Sequence, residues 1–84
     1  MLYVTMTDKF MSGWGHARGK LNKLIFECET EKEANIVYNN ANSRTDQKNI
    51  NICYKKPYYN KDKYYPQVIN KSIYPNWYVE GYFK

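Results

Sequence analysis

One stretch of this chain carries a complete helix signature, and it limits what the remainder can fold into. Thr30-Glu31-Lys32-Glu33 is a capping box, in which the Thr30 hydroxyl accepts from the Glu33 amide and the Glu33 carboxylate reaches back. Ala34, Val37, Tyr38 and Ala41 follow at i, i+3, i+4 and i+7, so one face of the helix is apolar. Acidic residues occupy its positive end and Arg44 its negative end, as the helix dipole favours. Asn39, Asn40, Asn42 and Ser43 offer the backbone competing hydrogen bonds, which predicts an end near Ser43.

Around this helix the apolar residues alternate instead. Leu2, Val4 and Met6 alternate with Tyr3, Thr5 and Thr7, the period of a half-buried strand. Leu24, Phe26 and Cys28 form a second such set, and Ile50, Ile52 and Tyr54 a third. Val68 and Ile69 are consistent with a short fourth strand, and Trp77, Val79 and Phe83 with a closing strand or a docked aromatic tail. The order strand, loop, strand, helix, strand, arm, strand predicts an α+β fold: a small, mainly antiparallel sheet of about 3–5 strands with the helix on one face. The other face should be polar or aromatic.

With 84 residues there is room for a single domain, residues 1–84, and one core. Leu, Ile, Val and Phe supply only 16 of those residues, whereas Tyr and Trp supply 12. The expected core is therefore thin and aromatic. Met1 is followed by Leu2-Tyr3-Val4-Thr5 without a charged n-region and apolar h-region, so the expected location is the cytoplasm, with Cys28 and Cys53 reduced. Those two cysteines and the single His16 cannot make a four-ligand zinc site, and no apolar run suffices to span a membrane. No cofactor or metal is expected.

The loop from Asp8 to Asn22 is long for so small a domain and holds Trp14, His16, Arg18 and Lys20 among Gly13, Gly15 and Gly19. Glycine-freed amides near Lys20 suggest an anion cradle, but the spacing fits neither nucleotide-binding glycine motif. Ser12-Gly13-Trp14-Gly15 reads either as a tight turn whose indole covers one end of the core or as an exposed anchor with Arg18, Lys20 and Lys23 around it. Ser12 lacks an orienting acid, and Asp8 with Glu27 or Glu29 reads as solvated charge at strand ends. No enzyme is expected.

Charge is concentrated elsewhere. Residues 44–71 contain seven Lys and Arg against Asp46 and Asp62, which equals the net charge of +5 for the whole chain. Lys55, Lys56, Lys61 and Lys63 are interleaved there with Tyr58, Tyr59, Tyr64 and Tyr65, and the same stretch holds Pro57 and Pro66. Lys56-Pro57-Tyr58-Tyr59 and Lys63-Tyr64-Tyr65-Pro66 resemble an imperfect duplication. The prolines predict a long hairpin tip or an irregular arm. Solvated lysines alone need no function, but tyrosines in that number, with little core to bury them, suit a contact surface.

Val4 to Phe26, with Asp8-Lys9-Phe10-Met11-Ser12-Gly13-Trp14-Gly15 as its most specific part, together with Glu33-Ala34 and Lys56-Pro57-Tyr58-Tyr59-Asn60, resembles a group of small proteins from phages and mobile elements of low-GC Gram-positive bacteria. The resemblance carries no activity and no functional residues. It implies an accessory binder in a bacterial host, a class that includes inhibitors of defence nucleases such as anti-CRISPR proteins; the basic arm departs from the acidic nucleic-acid mimics among them. The first expectation is thus an inhibitor that docks on a bacterial nucleic-acid-handling or defence complex by steric occlusion. Trp14, Tyr58, Tyr59, Tyr64 and Tyr65 would anchor it, with Arg18, Lys20, Lys55, Lys56, Lys61 and Lys63 steering. The second is direct binding of DNA or RNA with little sequence preference. The third is a structural or self-associating component, with a homodimer closing through an edge strand.

Overall fold

The computed structural model describes residues 1–9, 12–13 and 15–84, without the side chain of residue 16. Strands β1 (Leu2–Asp8), β2 (Leu21–Cys28), β3 (Gln47–Cys53) and β4 (Tyr64–Ile69) form one sheet in the order β3-β1-β2-β4, with helix α1 spanning Glu31–Asn42. β1 is antiparallel to both of its neighbours, and β2 pairs with β4 in parallel. The expected α+β sheet with one helix is therefore present, as a mixed, mostly antiparallel sheet. β4 is longer than Val68-Ile69, and β3 stops at Cys53, leaving Tyr54 71% exposed.

The helix begins as its sequence predicts. Thr30 is extended, its Oγ1 accepts from the Glu33 amide at 3.1 Å, and Glu33 Oε1 accepts from the Glu29 amide at 2.9 Å. Glu33 also pairs with Lys71. Burial alone would raise the Glu33 pKa, but the Lys71 ammonium and the Glu29 amide hold it below its usual value. At the other end Ser43 is the cap. Arg44 turns away from the dipole to make a two-pronged pair with Asp46, at 2.8 and 2.6 Å.

Val4, Met6, Leu24, Phe26, Cys28 and Ile69 meet Ala34, Val37 and Ala41 of the helix. The two alanines let α1 approach the sheet closely, and each large side chain buried here contributes about 1.5–3 kcal/mol. In β3 the register slips between Asn51, opposite Thr5, and Lys48, opposite Thr7. Asn49 sits in this bulge at φ 55, a left-handed conformation that asparagine tolerates better than most residues. The bulge lets Ile50 and Ile52 pack on the core while Gln47 also reaches that face. Bulged β3 and Pro66 on β4 occupy the two sheet edges, features that discourage strand addition.

Trp77, Tyr78 and Phe83 form a docked aromatic tail, not a closing strand. A 3₁₀ turn at Pro75–Tyr78 presents Trp77 to Phe26 at 4.7 Å between ring centroids, and Phe83 stacks edge-on against Trp77 at 4.9 Å. Asn40, only 2% exposed, holds the turn to the helix by donating from Nδ2 to the carbonyls of Trp77 and Val79 at 3.0 and 2.8 Å. Asn40→Ala should lower unfolding stability by about 1–3 kcal/mol, the cost of stranding buried partners. Urea titration reads this directly, and a loss within error would show that the tail does not depend on Asn40. The Tyr78 hydroxyl donates to the Glu27 carbonyl at 2.7 Å. Buried Cys28 is a core residue whose thiol desolvation pushes up to about 12, which makes it a poor nucleophile.

β2, β3 and β4 all run in the same direction. α1 carries the chain from β2 past β1 to β3, and residues 54–63 carry it back past β1 and β2 to β4. Right-handed crossovers running in opposite directions must lie on opposite faces of a sheet. Helix and tail cover one face, so the basic segment crosses the other. A hairpin is excluded because β3 and β4 are at opposite edges.

Candidate nucleic-acid interface

The second face of the sheet is set by parity. Side chains that alternate with Met6, Leu24 and Phe26 point away from the helix: Thr5 and Thr7 from β1, Lys23 and Ile25 from β2, Lys48 from β3, and Tyr64 from β4. Thr5, Thr7 and Ile25 are 3%, 1% and 2% exposed, so this face is covered, as the returning segment requires. Tyr59 from that segment stacks against Tyr64 with centroids 5.4 Å apart. Lys23 Nζ lies 5.3 Å from the Tyr59 ring and 5.7 Å from the Tyr64 ring, a cation over two aromatic faces.

Thr7 is opposite Lys23 on one side and Lys48 on the other. Both lysines thus flank one residue of the central strand, separated at the backbone by about two strand spacings, ~10 Å. Burial, with the Lys48 charge adding to it, lowers the Lys23 pKa. The Thr7 hydroxyl between them is buried without a hydrogen-bond partner.

The fold also joins the two basic segments. The Leu21 amide donates to the Lys63 carbonyl at 3.0 Å, and Leu21 is in register with Tyr64. Lys20 therefore lies directly beside the end of the returning segment. Ser12 closes the base of the loop: its Oγ donates to the Asp8 carbonyl at 2.6 Å and accepts from the Asn22 amide at 3.0 Å. Gly13, at φ 85, donates to the Ala17 and Lys20 carbonyls, in a left-handed conformation suited to glycine. Ser12 is thus a latch, and the loop that carries Arg18 and Lys20 is fixed against β4.

Of the predicted site residues, Arg18, Lys55, Lys56, Lys61 and Lys63 are exposed and Lys20 is half-buried. Tyr58 is 88% exposed, while Tyr59 and Tyr64 are half-buried in their own stack. Tyr64 and Tyr65 do not act as a pair, because successive strand residues face opposite ways and Tyr65, in register with Asn22, points to the helix side. Trp14 lies outside the described residues. Lys48 was hidden in the sequence as generic charge and Lys23 as a neighbour of Trp14. The alternation of Leu24, Phe26 and Cys28 already placed Lys23 on the second face, but only strand order shows that Lys48 joins it.

The carboxylates do not assemble into an acid–base pair. Asp8 is buried at 9% exposure on the helix side, contrary to its solvated reading, whereas Glu27 pairs with Tyr3 at the far end of the sheet on the other face. Among the described residues no group of three His, Cys, Asp or Glu could hold a metal ion. A groove of about 760 Å³ runs between α1 and the tail. It mixes Glu31 and Glu80 with Lys32 and Lys84 and shares no residue with the basic surface. No family model, curated protein or solved structure matches this chain.

Proposed function

We propose that this chain is a small accessory protein of a phage or mobile element that binds nucleic acid directly and with little sequence preference. One observation carries the reading: the seam between Leu21 and Lys63 brings Arg18 and Lys20 together with Lys61, Lys63 and the Tyr59–Tyr64 stack. Behind this seam Lys23 and Lys48 continue the positive row on the same face of the sheet. Charge neutralises phosphates along such a surface, and exposed tyrosine offers a ring to an unpaired base. No helix among the described residues is long and apolar enough to cross a membrane. The polyanion in view is a nucleic acid of a bacterial host. About six phosphate contacts would give a log–log salt slope near −5 on a duplex and a shallower one on a single strand. Fluorescence anisotropy with labelled DNA and RNA oligonucleotides at about 50 mM salt tests the proposal, and absence of binding to all of them overturns it.

A second reading has its own support. Tyr54 and Tyr58, 71% and 88% exposed, offer more aromatic area than phosphate contact requires, and tyrosine is favoured where proteins dock. On that reading the protein occludes a bacterial nucleic-acid-handling or defence complex, and the lysines steer the encounter. Stoichiometric retention of a host protein by the tagged chain after nuclease treatment would select it.

A further inference from the structure

The two end strands of the sheet, β3 and β4, differ in what their outer backbone groups offer. In β4 the Lys63 carbonyl accepts from the Leu21 amide, so Tyr65 and Gln67 also bond inward to β2 and Pro66 turns outward. Pro66 therefore removes an amide from the middle of that edge. In β3 the Asp46 carbonyl accepts from the Lys9 amide, and Lys9 continues the register of Asp8 with Gln47. Alternation then makes Thr7–Lys48, Thr5–Asn51 and Tyr3–Cys53 the pairs that exchange backbone bonds with β1. Ile50 and Ile52 aim their N–H and C=O groups away from the sheet. The bulge at Asn49 disturbs only the start of this edge.

Beyond the bulge the edge also lacks the charges and prolines that normally guard an end strand. Asn49-Ile50-Asn51-Ile52-Cys53-Tyr54 is uncharged in a chain of net charge +5, so it is a stretch along which two copies can meet without lysine opposing lysine. Ile50 and Ile52 lean on the core from the helix side, and Tyr54, 71% exposed, joins Leu2, Ala34 and Ile52 around a hollow of about 150 Å³ there. We propose that a second copy of this chain adds at this edge, β3 against β3 and antiparallel, with Ile52 facing Ile52 of the other copy across a twofold axis. Ile50 then faces Tyr54 of the other copy, a β-branched and aromatic pair of the kind that stabilises sheets, and it does so twice by symmetry. A foreign strand could use the same backbone groups, but only a second copy brings this apolar row at matching spacing. Antiparallel pairing keeps the two sheets continuous, with both helices on one face and both basic segments on the other.

The register supplies its own test. Asn51 and Cys53 point to the face opposite the helix, with Thr5 and Tyr3. The axis through Ile52 sets Asn51 opposite Cys53 of the other copy in a pair without mutual backbone bonds, about 4.5 Å between Cα atoms and within reach of a disulfide. Air oxidation of Asn51→Cys should therefore give a covalent dimer in which the introduced thiol is joined to Cys53 of the other copy, as read by peptide mass spectrometry. The unchanged chain should give none, because its two Cys53 residues sit on a diagonal about 7–8 Å apart. Sedimentation equilibrium of the unchanged chain, without nucleic acid, should show twice the chain mass with a dissociation constant below about 100 μM. Asn51→Lys, at an exposed position, places two ammonium groups beside the axis and should weaken the dimer about tenfold or more, with the circular dichroism spectrum unchanged. A monomer at about 1 mM, a dimer untouched by Asn51→Lys, or the absence of the Asn51→Cys cross-link overturns the proposal. None of these readouts involves phosphate, so they stand or fall apart from nucleic-acid binding.

Discussion

Replacing Trp77 by alanine is expected to cost about 2–4 kcal/mol of unfolding free energy, somewhat below the 3–5 typical of fully buried tryptophan because this ring is half-exposed. For a chain of 84 residues the whole stability is of the order of 4–12 kcal/mol, so this one ring carries a large share. The reason is its position. Trp77 touches Phe26 at 4.7 Å, Phe83 at 4.9 Å and the Arg44 guanidinium at 5.3 Å. α1 covers the β3 and β1 side of the core, and the tail covers Phe26 on β2. With so few aliphatic residues no other side chain can replace it there. The melting temperature should fall by about 4–8 °C for each kcal/mol lost. Tyr82, which is 49% exposed, provides the control, and Tyr82→Ala should cost under about 1 kcal/mol. Equal losses for the two variants would mean that the tail is a surface layer and not part of the core.

Features resting on local chemistry were legible in the sequence. The capping box names its own bonds, and the alternation in β1 and β2 fixes which residues face the core without reference to any partner strand. Asn40 was read only as a poor helix former. Its role in tethering the tail depends on carbonyls 37 and 39 residues away, which no local pattern encodes. Arg44 was assigned to the helix dipole because Asp46 and the Trp77 and Phe83 rings compete for it only in three dimensions. The apparent duplication misled for the same reason. Lys56-Pro57-Tyr58-Tyr59 lies in the returning segment, whereas Lys63-Tyr64-Tyr65-Pro66 enters β4. There the period of two separates Tyr64 from Tyr65, and the edge position tolerates a proline without a donor. Which face the basic segment crosses could have been inferred, since handedness dictates it once the strand order is known. That order was the missing fact.

Because the charges and the exposed rings occupy the same segment, only separate variants can assign the surface. Arg18, Lys20, Lys61 and Lys63 cluster along the Leu21–Lys63 seam, are not buried, and can be changed together to alanine with little effect on folding, since surface substitutions usually fall within about 0.5 kcal/mol each. If they contact phosphate, oligonucleotide affinity at about 50 mM salt should drop by about 100-fold or more, and the salt slope should shrink by about 3–4, close to one unit per contact. Tyr54 and Tyr58 are the right aromatic pair to remove, because Tyr59 and Tyr64 also pack under Lys23 and their loss would disturb the sheet face itself. Stacking on a base is worth about 1–3 kcal/mol per ring, so Tyr54→Ala with Tyr58→Ala should weaken single-strand binding about tenfold or more and leave the salt slope unchanged. Duplex DNA keeps its bases paired, and its binding should change little. If instead the tyrosine changes abolish retention of a host protein at high salt while the charge changes alter only the association rate, the surface reads protein and not phosphate. Electrostatics decides between the two outcomes: counterion release gives the phosphate contacts a dependence on salt that an apolar, hydrogen-bonded tyrosine interface lacks.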